Sequence, residues 1–182
     1  MTKEGTVLLS VSAAMHLLVD GLCLCCLYLT VSSFTTNGIL SVFLLYNILA
    51  FMSQPLTGMM VDRLTHRHWL LLWSLVLLTL GVLVSLSLPL WTFSSSLCLI
   101  VAVLLGIGNS LFHVWGGKQM VIKTGNDIRA LGVFVSTGVL GLAIGLICRS
   151  RLANFSNSVF FMIRRYVSDR RCARGKPGRG RT

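Results

Sequence analysis

The stretch GMMVDRLTHRHW, residues 58–69, decides the fold class because it places a short polar segment between two strongly apolar ones. Asp62 and Arg63 stand side by side, and two histidines and a second arginine follow within five residues. The apolar segments on either side are long enough to cross a hydrocarbon core, which takes about 20 helical residues. Residues 58–69 therefore indicate a loop at a bilayer surface between two spanning helices.

The whole chain has the composition of an integral membrane protein. Of its 182 residues, 54% are hydrophobic and only 12% are charged, and the mean hydropathy is +0.81. This apolar content exceeds what a soluble domain of this size could bury. We therefore expect the chain to reside in the lipid bilayer.

Five apolar stretches are each long enough to span the membrane. Backbone groups in lipid must be satisfied within the segment, and the alternating period of barrel strands is missing, so helices are predicted. The predicted fold is an all-α, polytopic transmembrane bundle of about five helices within residues 1–148. The stretches are 7–31, 39–61, 69–91, 97–117 and 130–148.

The cations in the short loops predict the orientation of this bundle. If the five segments alternate in direction, every cation before residue 149 falls on one side of the membrane, and loops 32–38 and 92–96 on the other side have none. Since Lys and Arg favour the cytoplasmic side, we expect a cell-membrane protein with a cytoplasmic N-terminus. The six cations are Lys3, Arg63, Arg67, Lys118, Lys123 and Arg129.

The segment 149–182 differs sharply from the rest of the chain. It holds ten of the sixteen Lys and Arg residues against one acid, Asp169, whereas residues 1–148 carry six cations and four acids. Two interpretations remain open: a disordered basic tail that is solvated or bound to lipid headgroups, and a truncated or frame-shifted end. A nucleic-acid partner is not expected, because the body of the chain is nearly neutral.

Two predicted helices carry polar residues within the membrane. His16 and Asp20 lie four residues apart on the first helix, and Asn109 and His113 have the same spacing on the fourth, so each pair shares a helical face. A charged Asp near the bilayer centre costs about 2.5 to 3.5 kcal/mol, so such residues face protein or water. Two interpretations are open: a substrate and proton pathway, or a hydrogen-bonded group that fixes helix packing.

The string QPLTGMMVDRLTHRH, residues 54–68, resembles the loop between the second and third helices of the major facilitator superfamily. A glycine, three intervening residues, an Asp-Arg pair and basic residues in a tight turn make up that signature. The usual second glycine of the signature is replaced by Thr65. The matching residues are Gly58, Asp62, Arg63 and Arg67.

Two further strings, HLLVD at 16–20 and GIGNSLFHVWGG at 106–117, are similar to the fosmidomycin-resistance exporter branch of that superfamily. The resemblance implies proton-coupled export of a small organic molecule or drug. Superfamily members have two six-helix halves with the substrate site between them. The chain would thus be an N-terminal half, either truncated or paired with a second copy or a separate second half.

Small residues in the predicted helices indicate close packing. Gly58 allows a neighbouring helix to approach, and the fifth helix carries Gly138, Gly141 and Gly145, the last two at the small-xxx-small spacing. Of the clustered cysteines only Cys23 and Cys26 share a helical face, so we interpret the cluster as small apolar packing residues. A metal site is therefore not expected.

Other classes of protein are either excluded or kept as alternatives. The sequence has no phosphate-binding glycine loop, hydrolytic triad or dinucleotide fingerprint, so an enzyme or a cofactor-dependent protein is not expected. A membrane binding or assembly protein, or an inactive fragment, remains an alternative to a transporter. A haem-binding bundle through His16 and His113 is disfavoured, because their depths from the cytoplasmic helix ends are about 15 Å and about 6 Å.

Overall fold

Helices account for all regular secondary structure in the residues that the computed structural model describes. Five of these helices are long and apolar enough to cross a membrane, which confirms the predicted all-α bundle and identifies a multi-pass membrane protein. The predicted basic tail, 149–182, and Arg67 lie outside the described residues. The described ranges are 3–31, 36–63, 68–87 and 95–148.

The helix bounds differ from the predicted ones mainly at the fourth span. That helix begins two residues before 97 and continues six residues beyond 117, because the residues after 117 keep good helix formers as far as Lys123. The second span is divided in two by a π-helical turn, Ile48–Met52. The helices are α1 Lys3–Val31, α2 Thr36–Asn47, α3 Gln54–Asp62, α4 His68–Ser87, α5 Ser95–Lys123 and α6 Ile128–Cys148.

The π-helical turn forms because Pro55, at the start of α3, has no N–H to continue the α-helical hydrogen bonds. The Ser53 N–H donates instead to the Ile48 carbonyl, five residues back, at 3.0 Å. The Gln54 side-chain amide donates to the Ala50 carbonyl at 2.8 Å and so supplies the donor that Pro55 lacks. The Ile48 and Ala50 carbonyls thus stay hydrogen-bonded where Pro55 interrupts the α-helical pattern, as lipid requires.

Helix α5 lies at the centre of the bundle and is the most buried of the five spans. It contacts α1, α2, the π-helical turn, α3 and α4. Its buried face combines small and branched residues. Because Gly106 and Gly108 have no side chains, α2 and α4 can pack closely against this face. The core around it contains Cys23, Cys26, Leu27, Val31, Val42, Tyr46, Ala50, Leu78, Cys98, Val101, Ala102 and Leu105.

A tight turn after α5 reverses the chain and places α6 next to it. Gly125 and Asn126 adopt left-handed backbone conformations, with φ of 67° and 62°. The Asn126 N–H donates to the Val121 carbonyl at 2.9 Å, a hydrogen bond that terminates α5. The Asp127 carboxylate then accepts the Arg129 N–H at 2.9 Å and so caps the start of α6.

Glycines bring α6 into backbone contact with α1. A Cβ atom at Gly141 would collide with the Leu17 backbone, and one at Gly145 would collide with the Gly21 carbonyl. Gly21 itself faces the Gly141 carbonyl oxygen, 2.8 Å from where its own Cβ would lie. By contrast, the expectation for Gly58 is wrong within the described residues, because they place no atom within 4 Å of a Cβ built there.

The α1–α6 contact predicts that Gly141→Ala destabilises the bundle by about 1 to 3 kcal/mol, because the added methyl group meets backbone rather than a mobile side chain. The matched control is Gly132→Ala, on the same helix, where no atom of the described residues lies within 4 Å of the new Cβ. Thermal unfolding of both variants in detergent measures the difference. Equal midpoints for the two variants would contradict this packing.

Candidate functional site

Helix α1 carries the two polar side chains at the centre of the candidate site. His16 and Asp20 lie one helical turn apart on the same face, and their exposures are 1% and 2%. His16 Nε2 is 3.2 Å from Asp20 Oδ2. The midpoint of the 29-residue helix is Leu17, so both residues lie near the middle of the span.

Helix α5 brings a second histidine to the same carboxylate. His113 Nε2 is 3.1 Å from Asp20 Oδ1 and 3.1 Å from His16 Nε2. The two imidazole rings meet edge to face, with centroids 4.3 Å apart. His16, Asp20 and His113 form a closed triangle of contacts, called here the His–Asp–His cluster.

His113 is the member of the cluster that can be reached from outside it. Its side chain keeps 15% of its surface exposed, against 1% for the His16 side chain and 3% for that of Asp20. The Phe51 ring, from the π-helical turn, stands edge-on to His113 at 5.7 Å. His113 is therefore the least enclosed member of the cluster.

Helix α6 closes the cluster from the other side through Phe134. The His16 Nδ1–H donates to the Phe134 carbonyl oxygen at 2.6 Å, and the two rings stack with centroids 4.3 Å apart. Phe134 was not identified from the sequence. A backbone carbonyl has no residue-type signal, and Phe134 looks like any other apolar residue of its helix.

Gly138, one turn after Phe134, makes the close approach of α6 possible. A Cβ atom at this position would lie 2.5 Å from both His16 Nε2 and Asp20 Oδ2. These separations are shorter than any real Cβ contact, so a larger residue would displace the cluster. The structure therefore places Gly138 at the cluster, whereas Gly141 and Gly145 contact the backbone of α1.

The hydrogen bond to Phe134 determines the tautomer of a neutral His16. Because a carbonyl oxygen only accepts, Nδ1 must carry the proton, and a neutral His16 has its lone pair on Nε2. That lone pair faces a carboxylate oxygen of Asp20 at 3.2 Å. Two acceptors at this distance need a proton or a cation between them. The contact between His16 and Asp20 is thus satisfied only when an additional proton or a cation lies between the two groups.

The three helices present their polar residues at similar depths. The midpoint of α5 is Asn109, four residues from His113, and the midpoint of α6 is Gly138. The predicted mismatch in depth between His16 and His113 is wrong, because α5 ends at Lys123 rather than near residue 117. With the two Nε2 atoms only 3.1 Å apart, a haem cannot fit between them.

Asn109 belongs to a neighbouring polar contact rather than to the cluster. Its side-chain amide donates to the Tyr46 hydroxyl of α2 at 2.9 Å. Its Oδ1 atom is buried without a hydrogen-bond partner among the described residues. Tyr46 was not singled out from the sequence because a tyrosine in an apolar helix is usual.

Asp62 and Arg63, two residues of the string that resembles the major facilitator signature, lie at the end of α3. The Lys118 ammonium pairs with the Asp62 carboxylate and so joins the end of α3 to the last turns of α5. Arg63 follows Asp62 and is exposed. The ion pair places the loop after the second span and the end of the fourth span on the same side.

Comparisons of this chain with protein-family models, with curated proteins and with solved structures found no match. The fold and the site therefore identify only the class of protein to which the chain belongs. It is a multi-pass helical membrane protein with a buried His–Asp–His cluster at the junction of three spanning helices.

The triangle of contacts predicts that Asp20 and His113 are energetically coupled. In a double-mutant cycle, Asp20→Asn and His113→Gln should deviate from additivity by about 0.5 to 3 kcal/mol, the range for residues in one network. Unfolding in detergent measures each free energy. The control pairs Asp20→Asn with His68→Gln, at the start of α4, and the changes in unfolding free energy should add. Additive changes in both pairs would contradict the cluster.

Proposed function

We propose that the chain is a major-facilitator-type membrane transporter, an N-terminal half that takes part in proton-coupled export of a small organic molecule. The observation that carries this proposal is the His–Asp–His cluster buried near the middle of three spanning helices. Ionisable residues at such depth are costly, and in membrane proteins they mark ion and substrate pathways.

The cluster supports proton coupling through the number of protons it can hold. With His16 Nδ1–H engaged by Phe134, one additional proton on His16 Nε2 or on Asp20 satisfies the contact between these two groups. That proton leaves the cluster with no net charge, which favours burial in a bilayer. Loss of the proton leaves a buried negative charge, and His113 is the exposed member that could exchange it.

We propose that the five described spans act with a partner half, because superfamily substrate sites lie between two halves. We propose that this partner is a second copy or a separate second half. A binding or assembly protein that does not transport is the alternative, and it predicts stable co-purification with a larger complex and no substrate movement.

We propose that the protein lies in the cell membrane with its N-terminus in the cytoplasm. The Asp62–Lys118 pair supports this orientation, because it joins two cation-bearing helix ends on one side of the bundle. Positive loop charge is retained on the cytoplasmic side during insertion.

If the proposed mechanism is correct, Asp20→Asn abolishes proton-coupled export while the protein still inserts. The amide cannot carry the exchangeable proton, although it nearly preserves the shape of the carboxylate. The measurement is proton flux in proteoliposomes challenged with a panel of drug-like molecules, together with drug tolerance of expressing cells. Asp127→Asn, in the loop before α6, is the control and should keep both activities. Unchanged flux and tolerance in Asp20→Asn would refute the mechanism.

The proposed orientation predicts that a cysteine introduced at Thr65 reacts with membrane-impermeant maleimide only from the cytoplasmic side. The same experiment with a cysteine at Ser33, in the opposite loop, should give labelling only from the exterior. Right-side-out and inverted vesicles provide the two accessible faces. Labelling of position 65 from the exterior would contradict the proposed orientation and indicate the opposite one.

A further inference from the structure

We infer that His16, Asp20 and His113 form a binding site for a divalent first-row transition-metal cation, such as Zn²⁺. Each residue offers one ligand atom, and these atoms lie within 4.8 Å of one another. The three come from two helices and meet at a carboxylate whose side chain is 3% exposed. The site goes beyond the proposed function, which needs only a proton at the cluster.

The spacing of the ligand atoms fits a single metal ion. Zinc binds imidazole nitrogen and carboxylate oxygen at about 2.0 to 2.2 Å, so neighbouring ligand atoms lie about 3.0 Å apart in octahedral and about 3.4 Å apart in tetrahedral geometry. The two Nε2 atoms are 3.1 Å apart, His113 Nε2 is 3.1 Å from Asp20 Oδ1, and His16 Nε2 is 3.2 Å from Asp20 Oδ2. Because these contacts involve both carboxylate oxygens, a metal ion held by both histidines and one oxygen would require the Asp20 carboxylate to rotate.

The hydrogen bond between His16 and Phe134 orients a metal ligand. Metal-binding histidines usually donate their second ring N–H to a carbonyl or a carboxylate, which fixes the tautomer and directs the other nitrogen at the ion. The His16 Nδ1–H does this to the Phe134 carbonyl at 2.6 Å. The Nε2 atom then carries the free lone pair, and it faces the ligand atoms of the other two residues.

Gly138 leaves space beside the ligand atoms. A methyl group there would stand 2.5 Å from His16 Nε2 and Asp20 Oδ2, on the lone pairs that would bind the ion. Among the described residues the group contains three ligands, so a metal ion would keep at least one open position for water or a small molecule. Aromatic rings of Phe51, Phe112 and Phe134 surround the two histidines.

The ligand set selects the class of metal. Two imidazole nitrogens and one carboxylate oxygen suit Zn²⁺, Fe²⁺, Co²⁺, Ni²⁺ or Cu²⁺, whereas Mg²⁺ and Ca²⁺ prefer oxygen ligands. A metal ion would supply the positive charge that the contact between His16 and Asp20 requires. A proton and a metal ion would compete for the same lone pair, so each would exclude the other.

The test is a cobalt titration of the full-length protein, purified in detergent with an affinity tag that contains no histidines. We expect one Co²⁺ per chain, with visible ligand-field absorption typical of nitrogen and oxygen ligands. Zn²⁺ should displace the Co²⁺ and raise the unfolding temperature, and excess Mg²⁺ should do neither. The absence of thiolate-to-cobalt charge-transfer bands separates this site from the cysteines of α1.

Variants assign the binding to the cluster. Asp20→Asn and His113→Gln should each weaken Co²⁺ binding by at least about tenfold, a loss that even second-shell substitutions produce. Gly138→Ala should weaken binding as well, whereas Gly132→Ala and His68→Gln should bind as the unmodified protein does. Circular dichroism checks that each variant remains helical. If a variant unfolds, Asp20→Glu is measured in its place. This substitution retains an oxygen ligand, so the variant should bind Co²⁺ detectably.

Absence of Co²⁺ and Zn²⁺ binding to the folded protein would overturn the inference, and so would binding that survives both Asp20→Asn and His113→Gln. Binding that disappears with the cysteines instead would also overturn it. The proposed transport function is tested separately, because metal binding is measured at equilibrium and without a transported substrate. Transport that persists in a metal chelator, from protein that binds no Co²⁺, would overturn this inference alone.

Discussion

A carboxylate in the middle of a membrane-spanning bundle must find partners within the protein, and this constraint explains the arrangement of α1, α5 and α6. Asp20 has two histidine partners, one from its own helix and one from α5. His16 in turn engages the backbone of α6 through Phe134. Removing water from these groups makes each contact directional, so the cluster fixes how deep and at what rotation the three helices meet.

Glycine positions make this arrangement sterically possible. Gly138 lets α6 approach the cluster, while Gly141, about one turn later in α6, lies against the α1 backbone at Leu17. Apolar surface alone could not determine the register of these helices, since lipid competes equally for apolar side chains. Backbone contact through glycines and a polar cluster at the same interface together specify one packing.

Much of the architecture could be predicted from the sequence, because the hydropathy of the five spans and the polar loop at residues 58–69 are local signals. The pairing of His16 with Asp20 followed from helical spacing. Three features could not be predicted. The meeting of His113 with Asp20 depends on where α5 ends, the role of Phe134 belongs to a backbone carbonyl, and the Lys118–Asp62 pair joins distant helices. The proposed metal site could not be predicted for the same reason, because its three residues converge only after α1 and α5 pack.

The cluster itself is tested most directly by solid-state nuclear magnetic resonance on protein in lipid, with ¹⁵N-labelled histidine and a ¹³C-labelled carbonyl at Phe134. Dipolar recoupling should detect His16 Nδ1 as a protonated nitrogen in hydrogen-bond contact with that carbonyl, and a close Nε2–Nε2 pair between His16 and His113. A His16 ring that shows no coupling to the Phe134 carbonyl and no neighbouring histidine nitrogen would contradict the cluster and the helix packing that depends on it.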